Sequence, residues 1–218
     1  MRENALGVPS LTPELAAKAQ AYLFLAAGLL GALGVFLPHP DRFNEQGMLA
    51  VQISSVAAGA LLFALHEKAP EWLTRVGAYG AATATSVGLL FSGRSTSAYL
   101  LFYLWVAFYA FYFLSRKEAI ALATFTILSY GVVTIAFRVG GFGENGVQVN
   151  EDIPALVLMA GTVFVAGAFI VLLRERVGRL IRQLGDAAST DPLTGLLSRR
   201  GFHHAVETEL ARSGRSDQ

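Results

Sequence analysis

The sequence has no cysteine and little charge, and each shortage excludes a class of protein. Without a cysteine among the 218 residues, disulfide bonds and thiol chemistry are excluded. Asp, Glu, Lys and Arg make up 15% of the chain and hydrophobic residues 54%, whereas charged residues are nearer a quarter of a typical soluble domain. The composition and a mean hydropathy of +0.49 therefore indicate a membrane protein.

The hydrophobic residues are concentrated in six runs of at least 18 residues that contain no Asp, Glu, Lys or Arg. A helix of about 20 residues crosses the hydrocarbon core of a bilayer, and a helix satisfies its own backbone hydrogen bonds there. We therefore predict an all-α integral membrane fold. Its six transmembrane helices, within a sensor region at 20–173, lie near 21–38, 48–65, 76–93, 98–115, 119–137 and 154–173.

Lys and Arg are distributed unevenly between the two sides that these helices define. Up to residue 182, the side of the N-terminal segment 1–19 carries ten of them, and the other side carries only Arg42, Arg94 and Arg138. The positive-inside rule then places both termini in the cytoplasm, as in a multi-pass protein of a bacterial inner membrane. The ten are Arg2, Lys18, Lys68, Arg75, Arg116, Lys117, Arg174, Arg176, Arg179 and Arg182.

No run carries an ionisable residue at its centre. Pumps and ion transporters need such residues within the membrane, so their absence argues against proton-coupled or ion transport. A small multi-pass transport or structural membrane protein is the alternative from another functional class.

The histidines do not suggest a metal or haem site. His39 and His66 are predicted on opposite sides of the membrane, and the neighbouring His203 and His204 point in different directions on a helix. We therefore expect no cofactor in this chain, and no nucleic-acid partner.

The fourth run is unusually aromatic, with nine aromatic residues between Tyr99 and Phe113. They surround the predicted helix, which favours packing between helices and anchoring at the headgroups. The functional alternative is a pocket for a lipid, a quinone or another apolar signal. Its lining would be Phe102, Trp105, Tyr109 and Tyr112.

Helical periodicity continues beyond the last apolar run, over 174–190. Apolar residues recur at spacings of three and four, as in a short heptad stripe. An amphipathic helix on the cytoplasmic leaflet is one interpretation. We favour the other, a coiled-coil-like signalling stalk that forms a parallel homodimer. The stripe comprises Ala166, Ile170, Leu173, Val177, Leu180 or Ile181, Leu184 and Ala188.

The stalk leads into Thr190–Phe202, which reads TDPLTGLLSRRGF. This segment resembles the N-terminal signature of GGDEF domains, the catalytic domains of diguanylate cyclases. That signature begins Asp-x-Leu-Thr-Gly-Leu and continues with Asn-Arg-Arg and Phe; here Ser198 stands where Asn is usual. The matching positions are Asp191, Leu193, Thr194, Gly195, Leu196, Arg199, Arg200 and Phe202.

The resemblance implies that 191–218 is the first turn and helix of an α+β GGDEF domain. A complete diguanylate cyclase converts two GTP to cyclic di-GMP with Mg²⁺, in a dimer of facing domains. In the family the opening element is structural, so these matches include no catalytic, cofactor-binding or metal-binding residue. The 218 residues contain no GGDEF or GGEEF segment. We therefore expect a truncated domain and no cyclase activity in this chain. A degenerate or composite GGDEF output is the alternative within signalling.

Overall fold

The computed structural model describes residues 12–139 and 149–187, together with Phe202 and Val206; at 149–152 and 181–187 it describes the backbone alone. The described residues form helices and contain no β-strand. In chain order the elements are α1 (Pro13–Val35), α2 (Glu45–Leu65), the 3-10 helix η1 (His66–Lys68), α3 (Glu71–Phe91), the 3-10 helix η2 (Ala98–Leu101), α4 (Phe102–Phe113), α5 (Arg116–Val139) and α6 (Val149–Ala187).

The helices α1 and α2 begin where short polar side chains satisfy free backbone N–H groups. Thr12 caps α1 by accepting a hydrogen bond from the Leu15 amide at 3.3 Å, and Pro13 occupies the first helical position. Asn44 caps α2 in the same way, accepting from the Gly47 amide at 2.8 Å. Both caps are encoded locally, by residues adjacent to the helix that they start.

Four helices are long and apolar enough to cross a membrane: Pro13–Val35, Glu45–Lys68, Arg116–Val139 and Ile153–Leu180. The predicted all-α membrane fold is confirmed at this level. The other two predicted spans fall on α3 and α4. The helix α3 is not among the four; it contains many Gly, Ala and Thr residues and carries Glu71 and Arg75 in its first two turns. The helix α4 with its preceding 3-10 turn covers only Ala98–Phe113.

The residues Leu11–Val171 form one compact unit, and the rest of α6 belongs to a second. Within the first unit, α1 and α2 pack closely because glycines remove side chains from their contact. A Cβ at Gly28 would lie 2.9 Å from the Gln52 carbonyl oxygen, and one at Gly59 would lie 2.9 Å from the Ala21 carbonyl oxygen. Small residues at such contacts allow backbones to approach in membranes.

Two apolar clusters fill the remainder of this unit. One joins α3, α4 and the start of α5 around Ala82, Ala110 and Leu122. The other joins α4 and α5 to the membrane part of α6 around Tyr103 and Tyr130, and includes Met159 and Val163. The described part of α6 is otherwise largely exposed, as a helix facing lipid would be.

The helix ends carry polar contacts that join neighbouring helices. Arg75 of α3 donates from Nε to Glu118 Oε1 of α5 at 2.9 Å and from a terminal nitrogen to Glu71 at 3.1 Å. Ser115 and Glu118 form a reciprocal capping box at the start of α5. Near the same ends, His66 Nε2 lies 3.9 Å from Glu14 Oε1.

Candidate functional site

A cavity of about 60 Å³ lies among α1, α2, α3 and the η2–α4 segment. The η2–α4 segment supplies an aromatic wall, and α3 contributes small residues that leave the space open, including Ala81, Ala84 and Gly88. Most of the lining is apolar. The polar exceptions come chiefly from α1, α2 and α3, and they are Gln20, Gln52, Ser55 and Thr85.

The structure brings three of the four aromatic residues of the predicted pocket to this cavity. Phe102, Trp105 and Tyr109 line it, and Tyr99 joins them from η2. Tyr112 does not line it: its ring packs edge-on against Phe113 with centroids 4.7 Å apart, and 44% of the residue is exposed. Tyr112 shares a helix face with Phe102, Trp105 and Tyr109. It lies about one turn beyond Tyr109, next to the last residue of α4, and the cavity does not extend that far along the helix.

The aromatic wall is held by ring contacts and one long-range hydrogen bond. Phe102 and Trp105 meet edge to face with centroids 5.3 Å apart, and Tyr99 and Phe102 are tilted at 6.0 Å. The Tyr99 hydroxyl donates to the Gly31 carbonyl oxygen at 3.0 Å. These contacts hold the wall of the cavity against α1.

Two glutamines at the cavity are buried, and reasoning from sequence missed both. Gln20 is 3% exposed and Gln52 is 5% exposed. Gln20 Nε2 donates to the Thr74 carbonyl oxygen at 3.0 Å, and Gln52 Nε2 contacts Met48 Sδ at 3.3 Å. The signal was present in the sequence: Gln52 is the only Asn or Gln in the six apolar runs, and Gln20 directly precedes the first.

Each glutamine side chain is accommodated by a glycine on the facing helix. A Cβ at Gly77 of α3 would lie 2.7 Å from Gln20 Nε2, and a Cβ at Gly31 of α1 would overlap the amide of Gln52. Burying an amide in an apolar medium costs free energy unless the amide is hydrogen-bonded. The bundle therefore accommodates two buried amides because a glycine of the facing helix leaves space for each of them.

Two polar atoms at the cavity lack a hydrogen bond of standard geometry within the part of the chain that the structure describes. They are Gln20 Oε1, an acceptor, and the Tyr109 hydroxyl. The Tyr109 hydroxyl lies close to Thr74. The Thr74 hydroxyl donates to the Glu71 carbonyl oxygen at 2.8 Å, and its oxygen can still accept a hydrogen bond from Tyr109. Gln20 Oε1 therefore remains a buried acceptor without a partner among the described residues.

An apolar groove of about 740 Å³ runs along α2 and α3 next to the cavity. The cavity and the groove share four lining residues, so the two spaces adjoin. They are Phe24, Val51, Ser55 and Ala84.

The described side chains include no cluster of three or more His, Asp or Glu that could hold a metal. His39 Nε2 pairs instead with Glu45 Oε1 at 3.4 Å. His66 Nδ1 lies 2.6 Å from the Phe63 carbonyl oxygen.

Most of the TDPLTGLLSRRGF motif lies outside the described residues, as do His203 and His204. Phe202 is described; it is helical and 59% exposed. The motif positions outside the described residues are Asp191, Leu193, Thr194, Gly195, Leu196, Arg199 and Arg200.

Comparisons with protein-family models, with curated proteins and with solved structures find no match to this chain. The resemblance to GGDEF domains therefore rests on the sequence of the motif.

Proposed function

We propose that this chain is the membrane sensory region of a diguanylate cyclase, which signals through its stalk to a GGDEF domain. The observation that carries the proposal is the length of α6. This helix runs for 39 residues without interruption from Val149 to Ala187. At 1.5 Å per residue it spans about 58 Å, roughly twice the hydrocarbon core. It passes beyond the last apolar run at Leu173 and ends four residues before Asp191, where the motif begins.

The described stalk residues suit contact with a second copy of the chain. Leu173, Val177 and Leu180 follow one another at spacings of four and three, and they are 45–51% exposed. A parallel partner helix would cover such a stripe by knobs-into-holes packing. Two GGDEF domains must face each other to join two GTP molecules, so a dimeric stalk would control the reaction through proximity and orientation. Mg²⁺ would be held by the complete catalytic domain and not by the described residues.

Contacts at the helix ends support six spans, with α3 and α4 crossing the membrane. The Asn44 amide, at the start of α2, donates to the Phe91 carbonyl oxygen at the end of α3 at 2.8 Å. A Cβ at Gly93 would lie 3.1 Å from the Arg42 carbonyl carbon. The α1–α2 and α3–α4 connections are therefore adjacent.

The opposite helix ends also meet, through the pairs Arg75–Glu118 and His66–Glu14. The contacts thus lie alternately at the two ends of the helices, which fits successive helices that each cross the membrane. The positive-inside rule then places the Arg75 side in the cytoplasm of a bacterial inner membrane.

A chimera tests the signalling proposal. Residues 1–190 are joined to the catalytic domain of an active diguanylate cyclase, and cellular cyclic di-GMP is measured. Inserting one to four alanines at Gly185 should change cyclic di-GMP with helical phase, because each residue rotates the helix by about 100°. The matched control carries the same insertions in a chimera without residues 20–173.

A flat response to the insertions in the membrane-bound chimera would contradict the proposal and favour the transport or structural alternative. A degenerate or composite output is distinguished by a second measurement, on the full natural gene product. In that case the chimera responds with helical phase, whereas the natural protein leaves cyclic di-GMP unchanged.

A further inference from the structure

The groove between α2 and α3 follows most of the length of both helices. Its lining extends from Gly47 and Phe91 at one end to Leu65 and Leu73 at the other. From residue 47 to residue 65 a helix rises about 27 Å at 1.5 Å per residue, which approaches the thickness of the hydrocarbon core. The groove is therefore long and narrow, and it runs in the direction in which lipid chains extend.

The two helices are joined at both ends of this groove and lie apart between them. At one end the Asn44 amide, which precedes α2, donates to the Phe91 carbonyl oxygen at 2.8 Å, and a Cβ at Gly47 would lie 2.8 Å from the Phe91 ring. At the other end the short segment that contains η1 connects α2 to α3. Between these ends, a Cβ at Gly80 would meet no described atom within 4 Å. The open space therefore lies in the middle of the groove.

The lining of the groove is suited to an apolar occupant. It contains no charged residue, and its only hydroxyl side chains are Ser54, Ser55 and Thr83. Each hydroxyl donates to a carbonyl oxygen of its own helix, at 2.7–3.0 Å. The hydroxyl donors are thus already used, and the groove offers chiefly apolar contact area.

The size of the groove decides between two apolar occupants, a hydrocarbon chain and a transmembrane helix. Its volume of about 740 Å³ over about 27 Å of length gives a mean cross-section of about 27 Å². A hydrocarbon chain whose atoms contact their neighbours at about 4–4.5 Å needs about 16–20 Å². A helix of about 10–12 Å diameter needs about 80 Å² or more. The groove can therefore hold a hydrocarbon chain along its length, whereas a helix could only cover its opening.

We propose that the α2–α3 groove is a binding site for an acyl chain of a membrane phospholipid. The chain enters sideways from the bilayer, because Ser54, Gly80 and Thr83 in the middle of the groove are exposed. A chain between two helices contacts protein on both sides, and these dispersion contacts add up along its length. The groove shares four lining residues with the aromatic cavity, so a bound chain also contacts part of the cavity wall. Binding is independent of the signalling function, but a role of the lipid as the signal rests on the proposed function.

Native mass spectrometry of the 218-residue chain in detergent micelles measures lipid binding directly. Titration with palmitoyl-oleoyl phosphatidylethanolamine should show saturable binding of a lipid to the parent chain. Gly80→Leu places a branched side chain in the groove and should weaken this binding at least about tenfold, because the side chain takes the space of the acyl chain. Gly161→Leu is the matched control: a Cβ at Gly161 of α6 also meets no described atom within 4 Å, and this glycine lies outside the groove. It should bind within about twofold of the parent.

A second variant and a second measurement locate the site. Ser54→Leu fills the groove from the α2 side and should weaken binding as Gly80→Leu does. A phosphatidylethanolamine that carries a diazirine in the middle of one acyl chain is then photo-cross-linked to the chain in nanodiscs. Cross-links should concentrate on the peptides that contain Ser54 and Thr83, and Gly80→Leu but not Gly161→Leu should reduce them there. Far-UV circular dichroism confirms that each variant is folded.

The inference is overturned if the folded parent binds no lipid saturably, or if Gly80→Leu and Ser54→Leu bind it as well as Gly161→Leu does. It is also overturned if the parent forms a lipid-free dimer that Gly80→Leu dissociates, since a second copy would then cover the groove. All of these measurements use the chain without a complete output domain. They therefore succeed or fail independently of the cyclic di-GMP experiment.

Discussion

The Tyr99 hydroxyl donates a hydrogen bond of 3.0 Å to the Gly31 carbonyl oxygen, 68 positions earlier in the chain. It attaches the 3-10 turn η2, which precedes α4, to the C-terminal part of α1. A Cβ at Gly34, one turn further along α1, would overlap the same hydroxyl. Gly31 and Gly34 together therefore provide both the acceptor and the space for the aromatic wall of the cavity.

Replacing Tyr99 with Phe should weaken this attachment while preserving the ring. Hydrogen bonds between membrane helices contribute about 0.6 kcal/mol on average and up to about 1.7 kcal/mol. We expect a loss of that size in the free energy of unfolding, measured by SDS titration in mixed micelles. Tyr112→Phe is the matched control, because no described residue hydrogen-bonds its hydroxyl, and it should change stability little. Equal losses in both variants would contradict the role of the Tyr99 bond.

Adding one methyl group at Gly31 should destabilise the α1–α2 contact. The new Cβ would overlap the Gln52 amide, so Gly31→Ala forces a buried side chain to move and should cost about 1–3 kcal/mol. Gly80→Ala is the control, because a Cβ at Gly80 of α3 meets nothing within 4 Å among the described residues. It should leave stability unchanged or raise it, since Ala favours helix over Gly. Thermal unfolding in detergent compares the two, and a Gly31→Ala protein as stable as Gly80→Ala would refute the overlap.

Single cysteines can map the topology, because the natural chain contains none. For six spans we expect Arg42→Cys and Arg94→Cys to react with a membrane-impermeant maleimide in intact cells. Lys68→Cys and Arg116→Cys should react only after permeabilisation. Residue 94 is decisive: if only α1, α2, α5 and α6 cross, it lies on the same side as residue 68. Labelling of Arg94→Cys only in permeabilised cells would therefore exclude six spans.

The same absence of cysteine allows a test of the dimeric stalk. Val177→Cys lies on the apolar stripe, and oxidation in membranes should join two copies through a disulfide. Arg176→Cys is the matched control on a neighbouring face, and it should cross-link far less because the Cα atoms must lie within about 7 Å. Comparable cross-linking at both positions, or at neither, would favour the amphipathic helix on the leaflet.

Prediction from sequence succeeded where the cause is local. The start of α1 has such a local cause, because the capping residue Thr12, the proline at 13 and the acid at 14 are adjacent in the chain. The apolar runs are also local, since each consists of consecutive residues. Long-range partners were not predictable. A buried glutamine in an apolar helix reveals neither the glycine nor the carbonyl oxygen that it will meet on another helix.

The sequence by itself determined that this is an all-α membrane protein and where most of its helices lie. Run length, helix caps and periodicity decide these properties, because each depends on the chain's local interactions with lipid or with its own backbone. Only the tertiary structure decided that Tyr109 and not Tyr112 lines the cavity, and that Gln20 and Gln52 are buried beside it. Those properties depend on how helices distant in sequence pack. Helical periodicity identifies the residues on one face of a helix, but it does not identify the helix that packs against that face.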